Sequence, residues 1–324
     1  MRFSPLTCTP EKTSFNSIVL GRKCPHSVHD GGASEQASRL GLLCTFWRTG
    51  SALRRCVLPA LLLLATPASG QTGRFKNIEL CNAGSQVAAD SVITGCTALI
   101  DSGAETTMTL AIVYSNRGNA FIQKGDYDRA IRDYDQSIKN DPEYAKAFNN
   151  RGVAYQKRGE LDLAMQDFEQ AIKLDPKYAG AFVNRAQANF DKGEHDLAMR
   201  DYNEAIRLAP ALAAAWNGRC WIHAIHGDLQ AALADCNEAL RLAPNFAAAF
   251  DSRGLAYLKM GRWDEALADY GSALRLSPSR ASSLYGRGLA KLKSGQAADA
   301  DADFSAAAAL NPKIKDDFAR YGIN

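Results

Sequence analysis

With 324 residues, 46% hydrophobic and 23% charged, the chain is too balanced for wholesale disorder or a polytopic membrane protein, and long enough for two ordinary domains or one extended array. Of its 38 Lys/Arg and 35 Asp/Glu, eight and three fall in residues 1–70, leaving 30 and 32 in the remainder. That near-neutral balance gives no sign of the concentrated basic surface that holds nucleic acid or an anionic membrane, so neither is expected as a partner.

Residues 1–52 are irregular, with Gly, Ser, His and Pro scattered and no periodicity. We expect them to be an extension upstream of the true translation start, not a domain. Residues 53–70 have the order of a secretory leader: Arg54 and Arg55, the apolar run Cys56 to Ala65, then Ala68-Ser69-Gly70 before Gln71. The run is too short for a bilayer core of about 30 Å, and Pro59 interrupts it. Cleavage near Gln71, a secreted or periplasmic mature protein and no stable membrane insertion are therefore expected. Residues 71–110 form a capping segment ahead of a long repeat.

From Ala111 to Ile314 the sequence repeats every 34 residues, six times without slippage, from Ala111, Ala145, Ala179, Ala213, Ala247 and Ala281. Counting places within a unit from these alanines, place 8 holds Gly118, Gly152, Ala186, Cys220, Gly254 and Gly288. Place 20 is always alanine, from Ala130 to Ala300, and place 32 always proline, from Pro142 to Pro312. Place 24 holds Tyr134, Phe168, Tyr202, Cys236, Tyr270 and Phe304. Small residues at places 8 and 20 let two helices approach closely, and the ring at 24 fills the space a missing side chain leaves. Glycine at place 15 ends the first helix in a left-handed cap, and the proline breaks the second.

This pattern resembles the tetratricopeptide repeat across 111–314. The resemblance implies an all-α, right-handed superhelical solenoid of antiparallel helix pairs, whose first helices line a concave groove. Residues 315–324 would be the short amphipathic helix that closes such an array, with Phe318 and Tyr321 covering the last pair. Asp90 to Gly103 reads as a second-type helix at the other end. Aligning ITGCTALI with IRDYDQSI of the first unit puts Cys96 at place 24, with about four extra residues in the linker that follows.

In a hairpin whose turn centres near place 16, facing places sum to about 32, so Cys220 and Cys236 should lie side by side. Both depart from the pattern in one unit, which suggests a disulfide in place of the small–aromatic contact. Cys81 and Cys96 echo it, 15 residues apart. Four cysteines after the leader allow three pairings, and 81–96 with 220–236 is the expected one. Free buried cysteines and a zinc site are the alternatives. For zinc, Cys220, His223 and His226 follow as C-x-x-H-x-x-H, but such spacing swings about 120° around a helix. No metal and no cofactor are expected.

Glycine-rich phosphate loops, H-E-x-x-H, G-x-S-x-G and a nucleophile with a base are all missing from the sequence, so an enzyme is not expected. Place 7 is always arginine (Arg117, Arg151, Arg185, Arg219, Arg253, Arg287) and place 23 always aspartate (Asp133, Asp167, Asp201, Asp235, Asp269, Asp303). These places nearly face each other, which predicts a ladder of structural ion pairs; an anion-binding stripe is the alternative.

Function should lie in the groove, lined from places 2, 5, 6, 9, 12 and 13. Place 6 carries Asn116, Asn150 and Asn184 in the first three units and Gly218, Ser252 and Gly286 in the rest. The asparagine run is similar to the amide ladder in the superhelix of O-linked N-acetylglucosamine transferase, which implies a grip on the backbone of an extended peptide. With Ser115 and Asn119 at places 5 and 9, the first unit lacks the clamp by which chaperone-binding repeats hold a terminal carboxylate. Further along, the lining turns apolar, with Trp221, Leu255 and Tyr285. The expected function is a non-catalytic scaffold binding a protein or extended peptide. The alternatives are an accessory subunit of a cell-envelope enzyme or assembly complex, and a metal-binding protein.

Overall fold

The structure, a computed structural model, describes residues 68–323. The extension 1–52 and the leader as far as Pro67 lie outside the described residues. The chain divides into two units, 1–71 and 72–324, and the second holds the array.

Among the described residues there are fifteen α-helices, one short 3-10 turn and no strand. Helices α1 (Ala68–Asn82) and α2 (Ala89–Ser102) precede the six repeat pairs. The pairs are α3 (Thr107–Gln123) with α4 (Tyr127–Asn140), α5 (Ala145–Lys157) with α6 (Leu161–Leu174), and α7 (Ala179–Asp191) with α8 (His195–Leu208). They continue with α9 (Ala213–His226) and α10 (Leu229–Leu242), α11 (Ala247–Lys259) and α12 (Trp263–Leu276), then α13 (Ala281–Lys293) and α14 (Ala297–Leu310). A short helix, α15 (Ile314–Arg320), closes the chain. The result is an all-α solenoid of consecutive packed pairs.

The boundaries follow from the repeated residues. Place-15 glycines all sit at positive φ, from 72° at Gly261 to 89° at Gly227, where any other residue would be strained. Each second helix stops two residues short of its proline, and the intervening residue is extended, as at Asp141 (φ −144°, ψ 94°). Asp126 and Asp228 cap α4 and α10 by accepting from the amides of Arg129 and Ala231.

Inside each hairpin the small–aromatic contact is as tight as places 8 and 24 imply. A Cβ added to Gly118 would come within 2.7 Å of the Tyr134 ring, and one added to Gly152 within 2.7 Å of Phe168. Tyr134 and Phe168 are fully buried. The same ring also reaches the next unit. A Cβ at Gly218 would lie 2.2 Å from Tyr202, and one at Gly286 would lie 2.2 Å from Tyr270. At Gly218 and Gly286 the missing side chain admits the phenol of the unit before, whereas Tyr134, followed by Asn150, donates its hydroxyl to Asn119.

First helices of successive pairs pack on one another, α3 on α5 and onward to α11 on α13, and among the described residues successive second helices show no comparable packing. The first helices therefore crowd onto the inner, concave side.

The α1–α2 hairpin joins the array as a further pair. Gly95 lets the two helices meet so closely that a Cβ there would be 2.7 Å from Leu80 Cβ. Thr97 accepts from Arg117 across 20 residues, whereas the equivalent contact from Arg151 to Asp135 spans 16. The difference is the four residues added to the linker after α2.

Candidate functional site

The six Arg–Asp pairs form one ladder. Each guanidinium donates through Nε and Nη2 to both oxygens of its aspartate, at 2.8 Å for Arg117–Asp133, 2.8 Å for Arg151–Asp167 and 2.7–2.8 Å for Arg185–Asp201. Arg219, Arg253 and Arg287 do the same with Asp235, Asp269 and Asp303. The hydrogen bond to Asp167 holds the Arg151 guanidinium above its usual pKa despite partial burial. An aromatic ring three residues earlier, at place 4, lies under the first five guanidinia, from 4.9 Å at Trp216 to 5.7 Å at Phe250. Each guanidinium is thus taken up by its aspartate, and in the first five units by a ring as well, which ties the two helices of each hairpin together.

Cys81 is bonded to Cys96, with Cα atoms 4.7 Å apart, and Cys220 to Cys236, with Cα atoms 5.4 Å apart. All four are buried. Cys220 is thereby tied up, and the two histidines that follow it diverge. His223 lies 3.5 Å from Asp228, and His226 Nε2 lies 2.9 Å from Nδ1 of His195.

On the concave side each place-6 asparagine is tied by a side-chain hydrogen bond to an asparagine on the preceding inner helix. Asn116 donates to Asn82 at 3.0 Å, and Asn150 donates to Asn119 at 3.0 Å. Asn184 donates to Asn149 at 2.8 Å, and Asn149 donates to Asn150 at 3.1 Å. Asn119 also accepts from the Tyr134 hydroxyl at 2.7 Å. A chain of amides thus stitches α1, α3, α5 and α7 together. Sequence reasoning missed Asn82 and Asn149. The period carries no signal for the first, because the four residues added after α2 put Asn82 out of register with place 6.

The apolar second half of the groove differs from expectation. Leu255, expected on the groove surface, is wholly buried in the cluster that contains Ile314 and Phe318. Trp221 and Tyr285 are half-covered by α15: Tyr321 meets the Trp221 ring edge-on at 5.3 Å, and Phe318 lies 4.8 Å from Tyr285. Lys259 pins the end of this helix by donating to the carbonyls of Ile225 (2.7 Å) and Tyr321 (3.0 Å). The terminal helix therefore folds back over the inner helices of units four to six, beyond the last pair it was expected to cover.

Between α15 and the concave wall lies a cavity of about 480 Å³. Its polar floor is built by unit five. Asp251, 5% exposed, accepts from Ser282 at 2.7 Å and Ser283 at 2.5 Å, with Arg280 Nη1 at 3.9 Å. Burial raises the pKa of the Asp251 carboxyl. A second depression, of about 470 Å³, lies among Gln156, Asn184, Gln187 and Asp191 in the N-terminal half.

A stack of helical hairpins presenting one continuous concave wall is a solenoid built for extended contact with another molecule. The chain belongs to the tetratricopeptide repeat family. A family model described as Tetratricopeptide repeat matches residues 115–179, 156–213 and 183–245, and one described as TPR repeat matches 254–295. Among solved structures, the chain is similar to one from the APC/C hetero-tetramer Cut9–Hcn1 (TM-score 0.66, 19% identity), covering 73% of this chain and 46% of that one. It is also similar to a tetratricopeptide repeat protein of Parabacteroides merdae (TM-score 0.58, 18% identity; 78% and 99% covered). A third is the pilF protein of Pseudomonas aeruginosa (TM-score 0.55, 17% identity; 66% and 98% covered). At such identities the likeness is one of fold. The chain spans less than half of the Cut9–Hcn1 chain it matches. A comparison with curated protein sequences yields no match.

Among the described residues no helix is long and apolar enough to cross a membrane.

Proposed function

We propose that the protein is an exported, non-catalytic scaffold that holds an extended segment of a partner protein along the inner helices of its N-terminal half. The repeat fold is that of protein-interaction scaffolds, which are generally non-catalytic. The observation that carries the finer reading is the amide row. Asn116 and Asn184 each use one amide N–H in the inter-helix bonds, so each keeps a carbonyl oxygen and a second N–H for a ligand. Groups that both donate and accept, set two repeats apart along the inner helices, suit the backbone of an extended chain whatever its sequence. Two disulfides of buried cysteines support export, since such bonds persist in oxidising compartments.

Extended decapeptides selected from a randomised display library on the full chain provide the test. Replacing Asn116, Asn150 and Asn184 together by alanine should weaken their binding at least tenfold, each lost hydrogen bond being worth about 0.5–1.5 kcal/mol. The same change removes bonds between inner helices, so a fall of a few degrees in Tm should accompany it, with the helical circular dichroism retained. Unchanged affinity in the triple variant would move the binding surface elsewhere.

A further inference from the structure

Unit five departs from the repeat at two places that meet. Place 5 and place 34 lie beside each other within a unit, as Ser115 and Tyr144 do. Place 34 is otherwise Tyr144, Tyr178, Leu212, Phe246 and Ile314; in unit five it is Arg280, opposite Asp251 at place 5. The ladder pairs of this chain are two-pronged, with contacts of 2.5–2.8 Å. Asp251 and Arg280 make a single contact of 3.9 Å, which leaves the guanidinium loosely held in the cavity wall.

Two atoms in that wall are buried without a hydrogen-bond partner: the Arg280 Nε donor and the Asn217 Oδ1 acceptor. An unmet buried polar atom is unfavourable, so a ligand that supplies both partners gains by it. One acceptor beside one donor is what a peptide group offers. The charges on the wall oppose each other, Asp251 and Asp317 against Arg280, so neither a carboxylate nor an ammonium terminus is preferred. Around this polar floor stand Phe190, Trp221, Ile222, Phe318 and Tyr321. A volume of about 480 Å³ falls within the roughly 300–1,000 Å³ range of ligand pockets. Gln187 borders both this cavity and the depression along the amide row, so the two are neighbours on the concave wall.

We propose that the cavity beneath the terminal helix is a selective subsite of the peptide groove: it takes one large apolar or aromatic side chain from the interior of the bound segment, whose adjoining peptide group pairs with Arg280 and Asn217. This rests on the groove reading above. The N-terminal half grips the backbone without regard to sequence, and the cavity sets which sequence is gripped.

The same decapeptide library, panned on the full chain with its disulfides intact, tests both. Selected peptides should share a large apolar residue at one fixed position, and alanine there should weaken binding at least tenfold. Ala248→Trp fills the cavity from an inner-helix position without removing a polar partner, and Arg280→Gln removes the cation while keeping a donor. Both should weaken selected peptides at least tenfold, and Ala248→Trp should abolish the preference for the apolar residue. A benzophenone side chain at that position should crosslink to Trp221 or Tyr321. If both variants bind as wild type while the triple asparagine variant does not, the cavity is no subsite and the groove reading stands. The reverse pattern keeps the cavity as a site of its own and overturns the groove. A library that returns no binder of micromolar affinity overturns both.

Discussion

Arg151→Ala is expected to destabilise the protein by about 3–5 kcal/mol, the cost of removing one member of a buried ion pair. Arg151 is the most heavily engaged rung of the ladder, donating to both oxygens of Asp167 at 2.8 Å and to Asp135 at 2.6 Å. Asp167 is 5% exposed, and burial already pushes its carboxyl above the usual pKa. Without the guanidinium, that carboxylate would face a poorly solvating site with nothing to offset its desolvation. A carboxyl whose folded pKa is raised incurs its penalty above the unfolded value, and the penalty disappears once both states are protonated. The gap between variant and wild type should therefore narrow as pH falls toward 4, roughly the ordinary aspartate value. A loss of packing alone would leave the gap unchanged. Urea unfolding of the two proteins at neutral and acid pH measures it. An Arg151→Met, Asp167→Leu double variant should recover most of the loss, because replacing both members removes the stranded charge. If the double variant is no more stable than Arg151→Ala, the ladder is not held by the electrostatics described here.

Much of this was legible in the sequence because a repeat states its contacts many times over. Six copies of Arg at place 7 and Asp at place 23 locate the ladder without coordinates, and a coupled departure at places 8 and 24 locates the disulfide in unit four. The same logic would have found the Asp251–Arg280 departure at places 5 and 34, had every place been compared; Asn82 escapes it, because the four residues added after α2 put it out of register with place 6. What the period does not carry is curvature. Periodicity fixes neighbours within a hairpin and between adjacent hairpins. The contact from Lys259 to the Tyr321 carbonyl spans 62 residues and depends on how three units of twist accumulate. Leu255 was misread for that reason: place 9 lies in the groove in the early units, but in unit five it belongs to a cluster with the helix folded back across it. Gly218 and Gly286 looked like lost asparagines. They are clearance for Tyr202 and Tyr270, a contact between units that no single repeat displays.

Removing the disulfide of unit four should cost about 3 kcal/mol for a closed loop of this length, the second large effect expected here. Cys220 and Cys236 are both wholly buried, so a Cys220→Ser, Cys236→Ser variant would also bury two hydroxyls among apolar neighbours and lose somewhat more. The repeat itself specifies a better replacement. In unit two, Gly152 and Phe168 occupy the same two places, with the ring so close that a Cβ on the glycine would approach it within 2.7 Å. Phenylalanine is preferable to tyrosine at 236, because it copies unit two and brings no hydroxyl to be accommodated beside Ser252 at the following place 6. A Cys220→Gly, Cys236→Phe variant should therefore lie well above the serine variant in stability, with a midpoint unmoved by reductant except through Cys81–Cys96. Wild type should fall on reduction toward the serine variant. Before reduction, Cys81, Cys96, Cys220 and Cys236 should all resist alkylation in denaturant. If the glycine–phenylalanine variant is as unstable as the serine one, the disulfide does not stand in for the ring. The two cysteines would then serve a contact peculiar to unit four, on the helix whose Trp221 borders the cavity.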